Sequence, residues 1–147
     1  MRDWWVGNDG EEYERRAGVM IEQAEAFEVH GVHLKGKLTC GENIADLGGV
    51  KLALTALKQD MIQNPRDYPE ELNGFNPIQR FFLSWSQAWR QNVKKERALS
   101  LITLDPHGPN EFRCNGTLSN IQEFFDAFHI QEGDLMFRSQ HSRVNIW

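Results

Sequence analysis

Apolar residues recur along this chain at helical rather than strand spacing. From Glu11 to Val29, Tyr13, Ala17, Met20, Ala24 and Phe27 alternate in steps of four and three between Glu and Arg, which predicts an amphipathic helix. A glycine-punctuated loop over 30–37 follows, and Thr39 is the predicted N-cap of a second helix from about Gly41 to about Met61. Ile44 to Leu54 is apolar on most sides, as a buried helix requires. The Gly48-Gly49 pair within it costs about 1 kcal/mol per glycine relative to alanine, a loss best explained by close approach of another backbone. Pro65, Pro69 and Pro77, with Asn73-Gly74 between them, predict a long surface connection from about Gln63 to Pro77. A third helix is expected from about Ile78 to Leu99, carrying Phe81, Phe82, Trp85, Ala88 and Trp89 on one stripe, and then a loop over 103–115. Ser119-Asn120-Ile121-Gln122 reads as a capping box opening a fourth helix whose inner face is Phe124, Phe125 and Phe128. The tail from Gln131 is irregular. The expected fold class is therefore mainly α, about four main helices with long loops, in a single domain over 1–147.

Composition narrows the function classes. With 40% hydrophobic residues in 147, the chain suits one ordinary core. Its 21 acidic and 16 basic residues are interspersed, net −5, with no basic run to track phosphates, so nucleic acid is not an expected partner. No stretch reaches the roughly 18 to 20 apolar residues that span a bilayer, and Met1-Arg2-Asp3-Trp4-Trp5 lacks a signal-peptide layout; no membrane segment is expected and localisation stays open. Trp4 and Trp5, stranded before the turn cluster Gly7 to Gly10, suggest a missing neighbour. Cys40 and Cys114 form neither a disulfide framework nor a C-x-x-C site; they read as packed free thiols, with a single bridge between them left open.

Candidate chemistry lies in two places. Glu42 and Asp46, four residues apart, leave one helix face about one turn from each other, and buried carboxylates need a cation, a metal or strong hydrogen bonds. Zinc accepts a carboxylate ligand, and a second carboxylate can orient a metal-bound histidine. Thr39-x-x-Glu42 is equally a capping box, with Asp46 paired to an Arg or Lys. The second place is Asp105 to Arg113, where His107 and Arg113 on a proline-stiffened loop could donate to an oxyanion or a carbonyl, or be merely solvated. His30 and His33 read as exposed bystanders.

Gly41-Glu42-Asn43-Ile44-Ala45-Asp46-Leu47-Gly48-Gly49 resembles the G-E-N-I-A-D-x-G-G signature of the neprilysin and endothelin-converting-enzyme family of zinc endopeptidases. Further strings agree in order: Asp3-Trp4-Trp5, Phe81-Phe82 leading to Trp89, Pro106-His107 through Phe112-Arg113, Asn115 to Leu118, Phe124 to Phe128, and Trp147. The resemblance implies the helical C-terminal subdomain of a gluzincin-type metallopeptidase that hydrolyses peptides. It makes Glu42 the third zinc ligand, Asp46 the carboxylate orienting a zinc-bound histidine, His107 the oxyanion stabiliser and Arg113 the grip on a substrate carbonyl. Trp89 and Ala88 match positions near the pocket for the side chain just after the scissile bond.

Two departures qualify it. The family's H-E-x-x-H, which brings two zinc histidines and the general base, occurs nowhere in these residues, and the family's large N-terminal lobe has no counterpart here. One carboxylate cannot hold zinc tightly, so the chain alone is expected to bind no zinc and show no peptidase activity. The missing cysteines near the end argue for a bacterial-type homologue. The expectation is a truncated piece of a full peptidase; the alternative is a naturally short, non-catalytic relative acting as an interaction module or complementing a separate chain. Either way an uncovered apolar groove near Glu42 and Asp46 predicts self-association.

Overall fold

The structure, a computed structural model, describes residues 5–146, and it is mainly α. Helix α1 (Asp9–Glu25) leads through a hairpin, β1 (Glu28–Val29) and β2 (Val32–His33), into the long α2 (Gly36–Gln63). Then come α3 (Pro77–Ala88), α4 (Lys95–Leu104), a π turn at Phe112–Gly116, and α5 (Gln122–Phe128). Trp4 and Trp147, singled out in the sequence, lie outside the described residues; Trp5 stacks on Tyr13 with ring centroids 5.3 Å apart.

Helix α1 buries Ala17 and Met20 in the core that α2 shares and Ala24 in a smaller cluster, all three on the face its spacing predicts. The predicted loop after it is a two-residue hairpin: Glu28 pairs with His33 and Val29 with Val32, while His30 and Gly31 take φ of 53° and 84°. Two successive left-handed residues match the twist of a tight antiparallel turn. Helix α2 begins five residues before Gly41, so Thr39 is not its N-cap. Thr39 is buried one turn inside, and its hydroxyl accepts from Asn43 Nδ2 at 3.0 Å. The capping-box reading of Glu42 therefore falls away.

Gly36 admits another backbone: a Cβ there would sit 2.4 Å from the Ile21 carbonyl oxygen. Gly49, by contrast, is exposed with nothing within 4 Å of such a Cβ. The predicted third helix is two. Asn76 caps α3 reciprocally with Gln79, Pro77 fills the first turn, and the helix stops at Ala88 with Trp89 as its C-cap. Beyond Trp89, Arg90-Gln91-Asn92 offers the core no apolar side chain, and the charged run at Lys94 opens α4 instead of closing α3. At α5 the N-cap is Ile121, not Ser119: the Ser119 hydroxyl donates to the Gly116 carbonyl. Asn120 is a buried hub, donating to Gln23 and Gly116 and accepting from the Val144 amide. That hub ties the irregular tail to α1 and the π turn.

The main core gathers Met20, Leu47, Val50, Phe82, Leu118, Ile121 and Val144, all essentially buried. A smaller cluster of Ala24, Leu34, Ile102 and Phe112 packs beneath the hairpin and sets the back wall of the region described next.

Candidate active site

The first half of α2, the 105–109 loop and the π turn meet at one place. Ile44, Leu47 and Val50 turn one side of α2 to the core, and on another side Glu42 and Asp46 emerge at this place one turn apart. Asp46 is buried, and Arg113 holds it bidentately, Nε donating to Oδ2 and an Nη to Oδ1, each at 2.7 Å. Arg113 is carried by the π turn, an arrangement with one extra residue per turn that recurs at functional positions. Its guanidinium also lies 4.0 Å from the Trp89 ring centroid, and Trp89 packs edge-on to Trp85 at 5.2 Å. The hydrogen bonds to Asp46 hold the Arg113 pKa above its ordinary value despite partial burial. The indole Nε1 atoms of Trp85 and Trp89 are buried with no hydrogen-bond partner among the described residues, so ring packing and the Arg113 guanidinium hold that pair.

One turn earlier, the Glu42 carboxylate lies 3.3 Å from His107 Nε2, with both side chains more than two-fifths exposed. The opposite ring nitrogen, Nδ1, is 2.7 Å from Asp105 Oδ1, which also accepts from the His107 backbone amide at 2.9 Å. Those two bonds from His107, the backbone one foremost, keep the Asp105 carboxyl below its usual range. Asp105 opens the candidate stretch seen in the sequence, but its role as the holder of His107 comes from the structure. Its signal was an Asp two residues before a His, the spacing of a turn in which the carboxylate binds the chain ahead.

The structure thus brings Glu42, Asp46, His107, Arg113 and Trp89 together. Ala88 is exposed at the end of α3 and takes no part in the ion-paired cluster. His30 and His33 lie on the hairpin, His33 with Nδ1 2.9 Å from the Glu25 carbonyl oxygen. Cys40 and Cys114 are free and half-buried, and burial raises both thiol pKa values, which disfavours nucleophilic thiolate. Among the described residues no three His, Cys, Asp or Glu side chains converge as a metal site. Nor is any described helix long and apolar enough to cross a membrane.

A model of peptidase family M13 matches residues 1–144. This chain belongs to peptidase family M13. Among its M13 relatives, the neutral endopeptidase of Lactococcus lactis subsp. cremoris is 33% identical over 147 residues, which is all of this chain and 21% of that protein. Human endothelin-converting enzyme 1 is 35% identical over 147 residues, again all of this chain and 19% of that protein. The chain therefore spans about a fifth of the length of the M13 relatives it matches. The solved structure of Mycobacterium tuberculosis zinc metalloprotease ZMP1 in complex with an inhibitor superposes with a TM-score of 0.93 at 37% identity. It covers 100% of this chain and 23% of that one, so the helical arrangement is that of part of an M13 zinc protease.

Proposed function

We propose that residues 1–147 are one domain, the C-terminal portion of the catalytic domain of an M13 zinc endopeptidase acting on peptides. In this reading the chain supplies one zinc ligand and the groups that hold a substrate and its transition state. The observation that carries it is the pairing on α2: two carboxylates one turn apart, one locked to Arg113 and one loosely met by His107.

Glu42 suits a metal ligand because its carboxylate is half exposed and engaged only by a long contact. Zinc, when bound, would polarise the scissile carbonyl and acidify a water, with the other ligands and the base coming from an H-E-x-x-H helix that these 147 residues do not contain. Asp46 spends one acceptor site on each oxygen for Arg113, and a carboxylate has about four, so it can still accept an imidazole N–H and orient that ring. Arg113 spends two of its guanidinium donors on Asp46 and keeps the rest for a substrate carbonyl. Asp105 accepts from Nδ1–H and so fixes the His107 ring, and Nε2 can donate to an oxyanion when the ring is the imidazolium, with a proton on each nitrogen. Trp89 and Ala88 would stand beside the side chain that follows the scissile bond.

The exposed face of α2 adds support. Gly41, Ala45, Gly49 and Ala53 recur every four residues on it, all exposed, beside Glu42. Such a smooth stripe admits a helix at short range. We assign it to the H-E-x-x-H helix in the intact enzyme, and to a second copy when that helix is absent.

The deciding experiment replaces the matching fifth of the Lactococcus endopeptidase with this chain. The chimera should cleave peptides and lose cleavage on Glu42→Ala, while the 147-residue chain alone neither cleaves nor binds zinc by calorimetry. Tight, Glu42-dependent zinc binding by the chain alone would overturn the division of labour. Light scattering of the free chain should show self-association; a monomer at high concentration removes the assignment of the stripe to a second copy.

A further inference from the structure

We propose that the cavity beside His107 and Arg113 is a second substrate subsite, that it takes a side chain ending in a carboxylate, and that Arg97 recognises it. The inference rests on the peptidase reading above. The cavity is about 300 Å³, at the small end of ligand pockets and the right scale for one side chain. Leu34, Ala98 and Ile102, all buried, give it an apolar floor; Gln91 and Asn110 put amides on its wall.

Arg97 decides the chemistry. It stands exposed in the first turn of α4 and shares the cavity wall with Asp105, whose carboxyl feels its charge, yet it makes no hydrogen bond or close ion pair with any described residue, so its donors are uncommitted. The first turn of a helix adds positive potential of its own. The other charges on the wall have partners: Arg113 divides its donors between Asp46 and, in the reading above, a substrate carbonyl, and Asp105 is held by the ring and amide of His107. An apolar stem leading to a free guanidinium matches glutamate, or a peptide's terminal carboxylate reaching the same group.

Position argues for a distinct subsite. Arg113 belongs to both neighbourhoods: its guanidinium lies over Trp89, and its side chain is part of the cavity wall, to which neither Trp89 nor Ala88 contributes. Successive side chains of an extended peptide point to opposite faces. With the peptide backbone fastened at Arg113, one side chain meets Trp89 and the next meets the cavity.

The test is a titration of the 15N-labelled 147-residue chain with acetylated, amidated Ala-Leu-Glu and Ala-Leu-Gln, followed at the amides of Ala98, Leu101, Ile102 and Gly108. The glutamate peptide should bind about tenfold tighter than its glutamine isostere, the scale of one charge-assisted hydrogen bond. Arg97→Gln should erase that preference and Arg97→Lys keep part of it. Acetyl-Ala-Leu-Gln with a free C-terminus separates the sources: tightening there, with none from the glutamate side chain, reassigns the cavity to a terminal carboxylate and overturns the side-chain proposal. Equal affinities in the unsubstituted chain, or a preference that survives Arg97→Gln, also overturn it while leaving the substrate reading intact. If neither peptide shifts any resonance at the cavity or at Arg113 and Trp89, the inference and the substrate grip fall together.

Discussion

Asp46 and Glu42 leave α2 one turn apart and meet basic side chains from the same stretch of chain, yet the two pairs are built differently. Asp46 and Arg113 have side-chain exposures of 10% and 17% and share two short, parallel bonds capped by an indole face. Glu42 and His107 are 44% and 43% exposed and meet at 3.3 Å through one atom pair. A buried charge must be matched in full, because desolvation is costly and the low dielectric magnifies any lapse. An exposed charge has water as an alternative and can change partners at small cost. The first pair is thus a fixed frame, and the second holds groups still free to engage something else.

Breaking the frame should have the largest effect. Arg113→Ala leaves Asp46 buried and unpaired, with an expected loss of about 2–4 kcal/mol in urea unfolding at neutral pH. A double-mutant cycle with Asp46→Asn should show strong coupling, and additivity within about 0.5 kcal/mol would mean that the two side chains do not act as one unit. Trp89→Leu should come next. It removes the ring beneath Arg113 and the edge contact to Trp85, worth about 1–2 kcal/mol by the same measurement.

Glu42→Gln and His107→Ala should each change stability by no more than about 0.5 kcal/mol, since both groups are well exposed. In the chimeric peptidase the same substitutions should remove most of the activity. A large stability loss from Glu42→Gln would erase the contrast between the two pairs. The smallest effect is a titration. Asp105 is held below the ordinary 3.8 by its bonds from His107, so its contribution is complete above that value and fades as pH falls through the lowered one. Carbon-detected NMR should find Asp105 titrating below the ordinary aspartate value, and a normal midpoint would mean that His107 is not fastened by it.

Much of this was legible in the chain. The α1 stripe, the buried Ile44 to Leu54 segment and the Phe124-Phe125 face all follow from helical spacing, because one apolar side must find the core. Boundaries were less legible. Thr39 looked like a cap because threonine before a helical run usually is one, but Gly36 lets α2 approach the Ile21 carbonyl and start earlier. No glycine or proline in 78–99 announces that α3 ends at Ala88; the break falls where Arg90-Gln91-Asn92 interrupts the apolar stripe. For the site, Glu42 and Asp46 shared a face by spacing alone, whereas the partners they take are 65 and 67 residues further along the chain.

The sequence by itself determined the mainly helical class, the carboxylate spacing on α2 and the membership of the M13 family, since these depend on residue order along single elements or on strings that persist unbroken. Only the tertiary structure decided which carboxylate is buried and which is open, that Asp105 holds His107, and that Arg97 keeps its hydrogen-bond donors free beside a cavity. Those outcomes depend on where separate elements come to rest, and the free energy of a charge is set by the surroundings that such packing creates.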